Sequence, residues 1–208
     1  MTTLARRLAD GINALGLSAE SLPRQKFLAY IELLSHWNRA YNLTAVRDPA
    51  EMVAYHLLDS LSLLPFLPDE SSRCLDMGTG PGLPGMILAL ARPDQFWVLL
   101  DSNAKKIRFL NQARIEFKLD NVEIVRSRVE SYQPVEKFDY VVARALAELG
   151  QLCDWARPLT NSGAQLLALK AEPGTAELAA LTGQTYQQHS LKVPGIDAPR
   201  SLVVVCFA

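Results

Sequence analysis

The feature of the sequence that most constrains the fold is a glycine-rich segment that follows a short apolar run. The run begins at Cys74, and residues 76–85 read Asp-Met-Gly-Thr-Gly-Pro-Gly-Leu-Pro-Gly. Glycine allows the sharp backbone turns of such a loop and lets the backbone come close to a ligand. Residues 83–92 are predicted to form a helix, whose N-terminus favours an anionic group. The pattern therefore predicts a strand, a ligand-binding loop and a helix.

After this glycine loop, strand-like apolar runs alternate with helix-like periodicity. The predicted strands are residues 96–100, 122–125, 140–143 and 164–169, and the predicted helices are 104–117 and 146–156. This order predicts an α/β fold, with a mainly parallel sheet that has helices on both faces. Residues 185–193 and 202–207 are expected to form a strand pair at the edge of the sheet.

The first 70 residues have a different pattern, from which only helices are predicted. Apolar side chains recur at helical spacing from Phe27 to Trp37. Asp48 followed by Pro49 is typical of a helix start, because aspartate caps and proline suits the first helical position. We therefore predict a helical N-terminal segment, residues 1–70, packed on a Rossmann-like domain, residues 71–208.

Composition limits the kinds of partner and compartment. The 21 Lys and Arg against 22 Asp and Glu give a net charge of −1, so nucleic acid could be held only by local basic patches. Three cysteines without CxxC spacing favour a reducing compartment, the cytoplasm, and no metal site is expected. No apolar run is long enough to span a membrane, so no membrane contact is expected.

Two aspartates indicate the class of ligand. Asp101, at the end of the second predicted strand, is placed to accept hydrogen bonds from both hydroxyls of a ribose. Asp76 lies just before the loop, where it would repel a pyrophosphate and attract an ammonium group. Both favour S-adenosylmethionine over NAD, although residues 80–85 also fit the GxGxxG spacing of dinucleotide-binding proteins. Alternatively, Asp76 only caps the turn.

Several motifs along the chain, in order, resemble those of one family. They are the glycine loop and residues 37–44 (WNRAYNLT), 56–61 (HLLDSL), 100–102 (LDS), 127–130 (SRVE) and 143–145 (ARA). The family is that of the RsmG methyltransferases, also called glucose-inhibited division protein B, and the resemblance runs from about residue 27 to 169. Its members transfer a methyl group from S-adenosylmethionine to N7 of a guanine in the 530 loop of 16S ribosomal RNA.

The resemblance implies a class I S-adenosylmethionine-dependent methyltransferase fold. Its sheet is seven-stranded and Rossmann-like, with six parallel strands and one antiparallel strand, behind the helical N-terminal segment. It also implies cofactor contacts after the first, third and fourth strands. Together with the two aspartates and the glycines of the loop, these contacts give the predicted cofactor-binding set: Asp76, Gly78, Gly80, Gly82, Leu83, Asp101, Val129, Glu130 and Arg144. Glu130 alone would also fit a solvated carboxylate at a helix start.

The candidate site favours methylation of a ring nitrogen that needs no deprotonation. Residues 143–146 (ARAL) stand where many amine methyltransferases have an Asn/Asp-Pro-Pro-aromatic loop. Guanine N7 has a free lone pair, so transfer needs placement and a suitable field rather than a base. Arg144 is the candidate catalytic residue. Its guanidinium could read guanine O6, hold a phosphate or fix the methionine carboxylate, or form a surface ion pair.

A larger set of polar residues is predicted to contact RNA around the cofactor cleft. Its members come from different segments that a doubly wound sheet gathers on one rim: Asn42, His56, Lys105, Lys106, Arg108, Arg128, Lys170 and Arg200. His56 and Asp59 share one helix face and could instead form a local pair. The expected partner is 16S ribosomal RNA, within the small subunit or an assembly intermediate, and the protein is expected to be a monomer. A small-molecule methyltransferase and a non-catalytic cofactor-binding assembly module remain alternatives.

Overall fold

The predicted sheet is present in the computed structural model, which describes residues 2–208. Its strands are β1 (Arg73–Met77), β2 (Phe96–Asp101), β3 (Val122–Arg126), β4 (Phe138–Arg144), β5 (Thr160–Lys170), β6 (Thr185–Leu191) and β7 (Arg200–Cys206). They lie in the order β3-β2-β1-β4-β5-β7-β6. Only β7 is antiparallel to its neighbours, so the predicted six parallel strands and one antiparallel strand are confirmed.

Helices cover the sheet and fill the N-terminal segment. They are α1 (Thr3–Ala14), α2 (Arg24–Tyr41), α3 (Pro49–Met52), a π-helix (Val53–Leu58), α4 (Asp59–Leu61), α5 (Gly85–Ala91), α6 (Ala104–Phe117), α7 (Leu149–Ala156) and α8 (Thr175–Ala179). Asp48 caps α3 as predicted, because its carboxylate accepts a hydrogen bond from the amide of Ala50 at 2.9 Å. Within residues 2–208, none of the helices combines the length and the apolar character that crossing a membrane requires.

Alternate residues of the central strands pack into two separate apolar cores. On β2, Trp97 and Leu99 belong to the core formed with α1–α6 and the π-helix, whereas Val98 and Leu100 belong to the core formed with α7. This period of two is what an extended strand imposes. The N-terminal helices therefore complete one of the two layers on the sheet. Each buried leucine or isoleucine there contributes about 1.5–3 kcal/mol of burial free energy.

The loops at the carboxyl end of the sheet account for the shifted helix starts. α5 begins at Gly85 and α7 at Leu149, later than the predicted positions 83 and 146. The glycine loop extends to residue 84, and residues 145–148 form an irregular turn after β4 in which Ala145 has a left-handed backbone with φ 50°. Both loops lie where ligands bind in open α/β sheets, beyond the carboxyl ends of parallel strands.

Candidate active site

The glycine loop is packed on most sides and open at one glycine. Gly78, Gly80 and Gly82 have φ values of 74°, 62° and 90°, which disfavour any side chain. A Cβ at Gly78 would lie 2.5 Å from a methyl group of Leu146, and one at Gly82 would lie 2.9 Å from a methyl group of Leu110. A Cβ at Gly80 would have Nζ of Lys106 as its nearest neighbour, 3.8 Å away. The backbone at Gly80 is therefore where a ligand can come closest to the loop.

Asp76 supports this loop from beneath. Its side chain is fully buried, and Oδ2 accepts hydrogen bonds from the hydroxyl of Thr79 at 2.5 Å and the amide of Gly85 at 2.7 Å. Burial raises the pKa of Asp76 to about 6, against the lowering effect of these hydrogen bonds. Asp76 borders neither of the two cavities at the carboxyl edge of the sheet. The structure therefore does not place it against a cofactor ammonium group, and its position indicates that it holds the turn.

Asp101 borders the cleft and also fixes the loop. Oδ2 accepts a hydrogen bond from the amide of Gly80 at 2.9 Å, and Oδ1 accepts one from the amide of Asn103 at 2.8 Å. The ammonium group of Lys106 lies 3.4 Å from Oδ2. Asp101 thus stands at the carboxyl end of β2, as predicted, with its carboxylate oriented by the backbone on both sides.

Two adjoining cavities form one cleft along the carboxyl edge of the sheet. The Asp101 cavity, of about 330 Å³, is bordered by Asp101, Arg128, Val129, Glu130 and Leu146, among others. The Arg144 cavity, of about 440 Å³, is bordered by Asp59, Leu83, Arg144, Lys170 and Arg200, among others. Gly78, Lys106 and Ala145 line both cavities. Each volume is within the usual range for small-molecule sites.

The cleft brings together most, but not all, of the predicted site residues. Of the cofactor set, Gly78, Gly80, Leu83, Asp101, Val129, Glu130 and Arg144 line it, whereas Asp76 and Gly82 do not. Of the RNA set, Lys106, Arg128, Lys170 and Arg200 line it. Lys105, Arg108 and Asn42 are exposed outside it, and the side-chain oxygen of Asn42 accepts a hydrogen bond from Arg47 at 3.1 Å.

His56 lies beneath the surface instead of on the wall of the cleft. It is 4% exposed, and its Nε2 is 3.0 Å from the hydroxyl of Thr44. Burial, together with the positive charge of Arg144, lowers the pKa of His56 to about 4. The ring is therefore neutral at pH 7 and is placed to fix the turn at Thr44. Direct contact between this side chain and RNA is not supported by its burial.

Arg144, the last residue of β4, is tied to the N-terminal helices. Its Nη1 donates hydrogen bonds to the carbonyl of Tyr55 at 2.9 Å and to Oδ2 of Asp59 at 3.0 Å. Tyr55 belongs to the π-helix, a form that recurs at functional sites. Arg144 is therefore fixed at the cleft by two acceptors, which is more than a surface ion pair would provide.

Asp59 is a site residue that the predicted sets leave out. Its other oxygen, Oδ1, accepts a hydrogen bond from Nε of Arg200 at 3.1 Å. It therefore pairs with two arginines, and none of its hydrogen bonds is to His56. The signal was an acid on the buried face of an apolar helix, because such an acid needs cationic partners. The sequence alone does not say which cations those are.

Lys170 is neutralised by a second missed acid, Glu177. Nζ of Lys170 lies 2.5 Å from Oε1 of Glu177 and donates a hydrogen bond to the carbonyl of Ala147 at 3.0 Å. The same oxygen of Glu177 accepts from the amide of Leu149 at 3.0 Å. These contacts hold the loop after β4 against the end of β5, so Lys170 orders one wall of the cleft.

The residues present fit S-adenosylmethionine. Gly80 leaves its backbone open to a ligand, and Asp101 presents a carboxylate of the kind that binds ribose hydroxyls. Asp76, buried under the loop with a pKa of about 6, is negatively charged at pH 7, which disfavours a pyrophosphate there. No group of three or more His, Cys, Asp or Glu side chains that could hold a metal ion occurs among residues 2–208.

Comparison with known proteins identifies the family. The family model described as rRNA small subunit methyltransferase G matches residues 23–203. The chain belongs to this family. Curated relatives that carry the name Ribosomal RNA small subunit methyltransferase G include one from Methylococcus capsulatus, 49% identical over 94% of this chain and 95% of the relative. Another, from Ectopseudomonas mendocina, is 45% identical over 97% of this chain and 95% of the relative.

Solved structures show the same fold at low sequence identity. A precorrin-6y C5,15-methyltransferase from Geobacter metallireducens aligns with a TM-score of 0.58 at 15% identity, over 72% of this chain and 87% of that one. M. jannaschii TYW2 in complex with AdoMet aligns with a TM-score of 0.55 at 16% identity, over 68% of this chain and 70% of that one. These similarities show that the chain shares its fold with known methyltransferases.

Proposed function

We propose that this protein transfers a methyl group from S-adenosylmethionine to N7 of a guanine in the 530 loop of 16S ribosomal RNA. The observation that carries the proposal is the cleft itself. It has a ribose-type carboxylate, Asp101, in one cavity and a fixed guanidinium, Arg144, in the next. The chain has this cleft and belongs to a family described as rRNA small subunit methyltransferase G.

The Asp101 cavity is the proposed cofactor side of the cleft. S-adenosylmethionine, when bound, supplies an electrophilic methyl group on a sulfonium centre. Asp101 would accept hydrogen bonds from the ribose, and Val129 and Glu130 would border the adenine. The open backbone at Gly80, which lines the Arg144 cavity and whose amide donates to Asp101, leaves room for the end of the ligand nearest the substrate. Asp76 and Gly82, which do not line the cleft, would shape the loop and not contact the cofactor.

The Arg144 cavity is the proposed substrate side, and it suits a reaction without a general base. Guanine N7 has a free lone pair in the major-groove edge of the base, so no proton has to leave before attack. His56 is neutral but buried against Thr44, and the carboxylate of Asp59 is held by two arginines. These side chains are engaged in holding the site. Placement of the base by fixed groups is then the main catalytic contribution.

RNA would reach the cleft across the carboxyl edge of the sheet. The proposed contacts are the cations there, some lining the cleft and some exposed beside it: Lys105, Lys106, Arg108, Arg128 and Arg200. Lys170 borders the same cleft with its charge already paired to Glu177, so its proposed part is to hold the wall that the RNA meets. Asn42 is retained as a more distant candidate. A folded RNA partner presents shape as well as charge, which fits a protein with a net charge of −1. The small subunit or an assembly intermediate would be the substrate, with the protein acting as a cytoplasmic monomer.

The test is methyl transfer from tritiated S-adenosylmethionine to ribosomal RNA, followed by mapping of the label. We expect the label in 16S RNA, at a guanine of the 530 loop. Methylation at N7 of that guanine should make the RNA strand cleavable there by treatment with borohydride and then aniline. Label at another atom or another RNA would overturn the assignment of the base. Transfer that needs no RNA would favour a small-molecule methyltransferase. Binding of S-adenosylhomocysteine with no transfer to any RNA would favour a non-catalytic module.

A further inference from the structure

Asp59 joins two arginines from distant parts of the chain at one point of the cleft. Its carboxylate is 3% exposed, with Oδ2 bonded to Nη1 of Arg144 at 3.0 Å and Oδ1 to Nε of Arg200 at 3.1 Å. Asp59 begins α4, Arg144 ends β4 and Arg200 begins β7. One carboxylate therefore sets the separation and orientation of two guanidinium groups, which without it would repel each other.

The cluster of Asp59, Arg144 and Arg200 has a net positive charge and N–H donors that have no acceptor in the described part of the chain. Two cations and one anion leave one net positive charge, and all three residues line the Arg144 cavity. A guanidinium has five N–H donors. Arg144 uses only Nη1, and Arg200 uses Nε and Nη1, the latter to the carbonyl of Pro199. Within residues 2–208, Nη2 of each arginine has no hydrogen-bond partner.

We propose that this cluster is a binding site for one phosphate of the RNA backbone, and that Asp59 is its positioning residue. The proposal rests on the proposed function, because it takes RNA as the substrate. Planar guanidinium forks match the oxygens of a phosphate, and the hydrogen bonds are charge-assisted. RNA carries such a group at every nucleotide.

The chemistry of the reaction favours a phosphate over the reacting base as the ligand. Transfer of a methyl cation to guanine N7 forms an N–C bond, breaks an S–C bond and moves a positive charge from sulfur to the base. Guanidinium groups placed against that base would oppose the developing charge. Bound to a phosphate, the same groups are neutralised while they hold the nucleotide in place. The carboxylate of Asp59 lowers the positive charge of the site further.

The test compares the wild-type protein with Arg200→Ala, and with Lys137→Ala as a matched control. Lys137 is an exposed cation just before β4, at the opposite edge of the sheet from Arg144. RNA affinity is measured over a range of salt concentrations with a transcript of the 16S RNA domain that contains the 530 loop. S-adenosylhomocysteine affinity is measured by calorimetry. A lost phosphate contact lowers the slope of log affinity against log salt by about 0.7 to 0.9.

We expect Arg200→Ala to show this loss of slope and an unchanged affinity for S-adenosylhomocysteine, while Lys137→Ala matches the wild type in both. An unchanged slope for Arg200→Ala would overturn the phosphate site. Weaker S-adenosylhomocysteine binding with an unchanged slope would assign the arginines to the cofactor carboxylate instead. The binding arm does not need turnover, so it remains decisive even if the wild type fails to methylate RNA, which would reject the proposed function alone.

The role of Asp59 is tested with Asp59→Asn, and with Asp69→Asn as the control. Asp69 is an exposed acid paired with Arg92 outside the cleft. Asp59→Asn removes a negative charge, so we expect RNA to bind at least as tightly as to the wild type while kcat falls on the order of 10-fold or more. A role in folding alone would instead lower the melting temperature and leave kcat of the folded fraction unchanged. If Asp59→Asn does not fold, Arg200→Lys decides: it keeps the charge and should keep the slope, but raise KM for RNA.

Discussion

The hydroxyl of Tyr30 in α2 donates a hydrogen bond to the backbone carbonyl of Pro81 in the glycine loop. Tyr30 is fully buried, and burial raises the pKa of its hydroxyl above the usual value, so the group remains a donor at neutral pH. A Cβ at Gly82 would lie 3.1 Å from the same hydroxyl oxygen. The conformation of the proposed cofactor loop therefore depends on a side chain from the N-terminal helices.

Tyr30→Phe should weaken both folding and cofactor binding. It removes one buried hydrogen bond, which contributes about 0.5–1.5 kcal/mol and leaves the Pro81 carbonyl without this partner. Urea unfolding should show a loss of that size, and calorimetry should show weaker S-adenosylhomocysteine binding. Tyr186→Phe, which changes an exposed tyrosine on β6, should alter neither quantity. If Tyr30→Phe loses stability but binds S-adenosylhomocysteine normally, the loop does not need this contact.

Asp101→Ala should weaken S-adenosylhomocysteine binding by roughly 1–3 kcal/mol, through unpaired ribose hydroxyls and loss of the contact to the Gly80 amide. The control is Asp120→Ala, an exposed acid that follows α6. NAD should bind to neither variant nor to the wild type. Calorimetry checks all three proteins. Tighter binding of NAD than of S-adenosylhomocysteine to the wild type would reject the choice of cofactor.

Arg144→Ala should lower the rate of methyl transfer on the order of 100-fold, because the nucleotide loses a fixed group that holds it in place for attack. The melting temperature should also fall. A cleft arginine could be expected from sequence to support little of the core, but Arg144 holds the carbonyl of Tyr55 and the buried carboxylate of Asp59. Arg126→Ala, which removes an exposed arginine at the same edge of the sheet, is the control. Wild-type turnover by Arg144→Ala would remove it from the mechanism.

The burial of His56 should make stability depend on pH. Its pKa falls from 6.5 when exposed to about 4 in the folded protein, so the unfolded chain binds more protons between these values. The stabilisation is present above pH 6.5 and is lost as the pH falls through about 4, at a cost of about 3 kcal/mol at most. Asp76 acts in the opposite sense, since its raised pKa of about 6 favours folding at low pH.

A difference measurement separates the two groups. The free energy of unfolding of His56→Gln, subtracted from that of the wild type, should decrease steadily as the pH is lowered from 6.5 to 4. Asp76 is present in both proteins and cancels. His36→Gln, at an exposed histidine of α2, should follow the wild-type curve at every pH. Parallel curves for His56→Gln and the wild type would mean that His56 is not buried in solution.

The sequence predicted best what depends on local pattern. The predicted limits of α6, residues 104 and 117, agree with the structure, in which the side-chain oxygen of Asn103 caps the helix by accepting hydrogen bonds from the amides of Lys105 and Lys106. The position of Asp101 followed from a general property of parallel sheets. In contrast, α8 has only five residues, which is too short a segment to show a recognisable helical periodicity.

Contacts between distant segments could not be predicted in the same way. The bonds of Asp59 to Arg144 and Arg200 span 85 and 141 positions, and nothing in a single sequence selects those partners among its cations. The burial of His56 depends on how the turn at Thr44 folds over the π-helix. Likewise, the side chain of Asp76 faces the start of α5 because of the position of Asp76 on β1.

The position of β7 imposes an order on folding. β7 comes after β6 in the chain but lies between β5 and β6 in the sheet, so β6 has no partner until residues 200–206 are available to pair. β6 and β7 are joined by residues 192–199 alone and can pair locally, whereas pairing of β7 with β5 must close the loop of residues 171–199, which is the slower step. Arg200 is the first residue of β7 and meets Asp59 only at that stage. A molecule whose sheet is still incomplete thus lacks the second arginine, and the completed cluster would mark a chain that has finished folding.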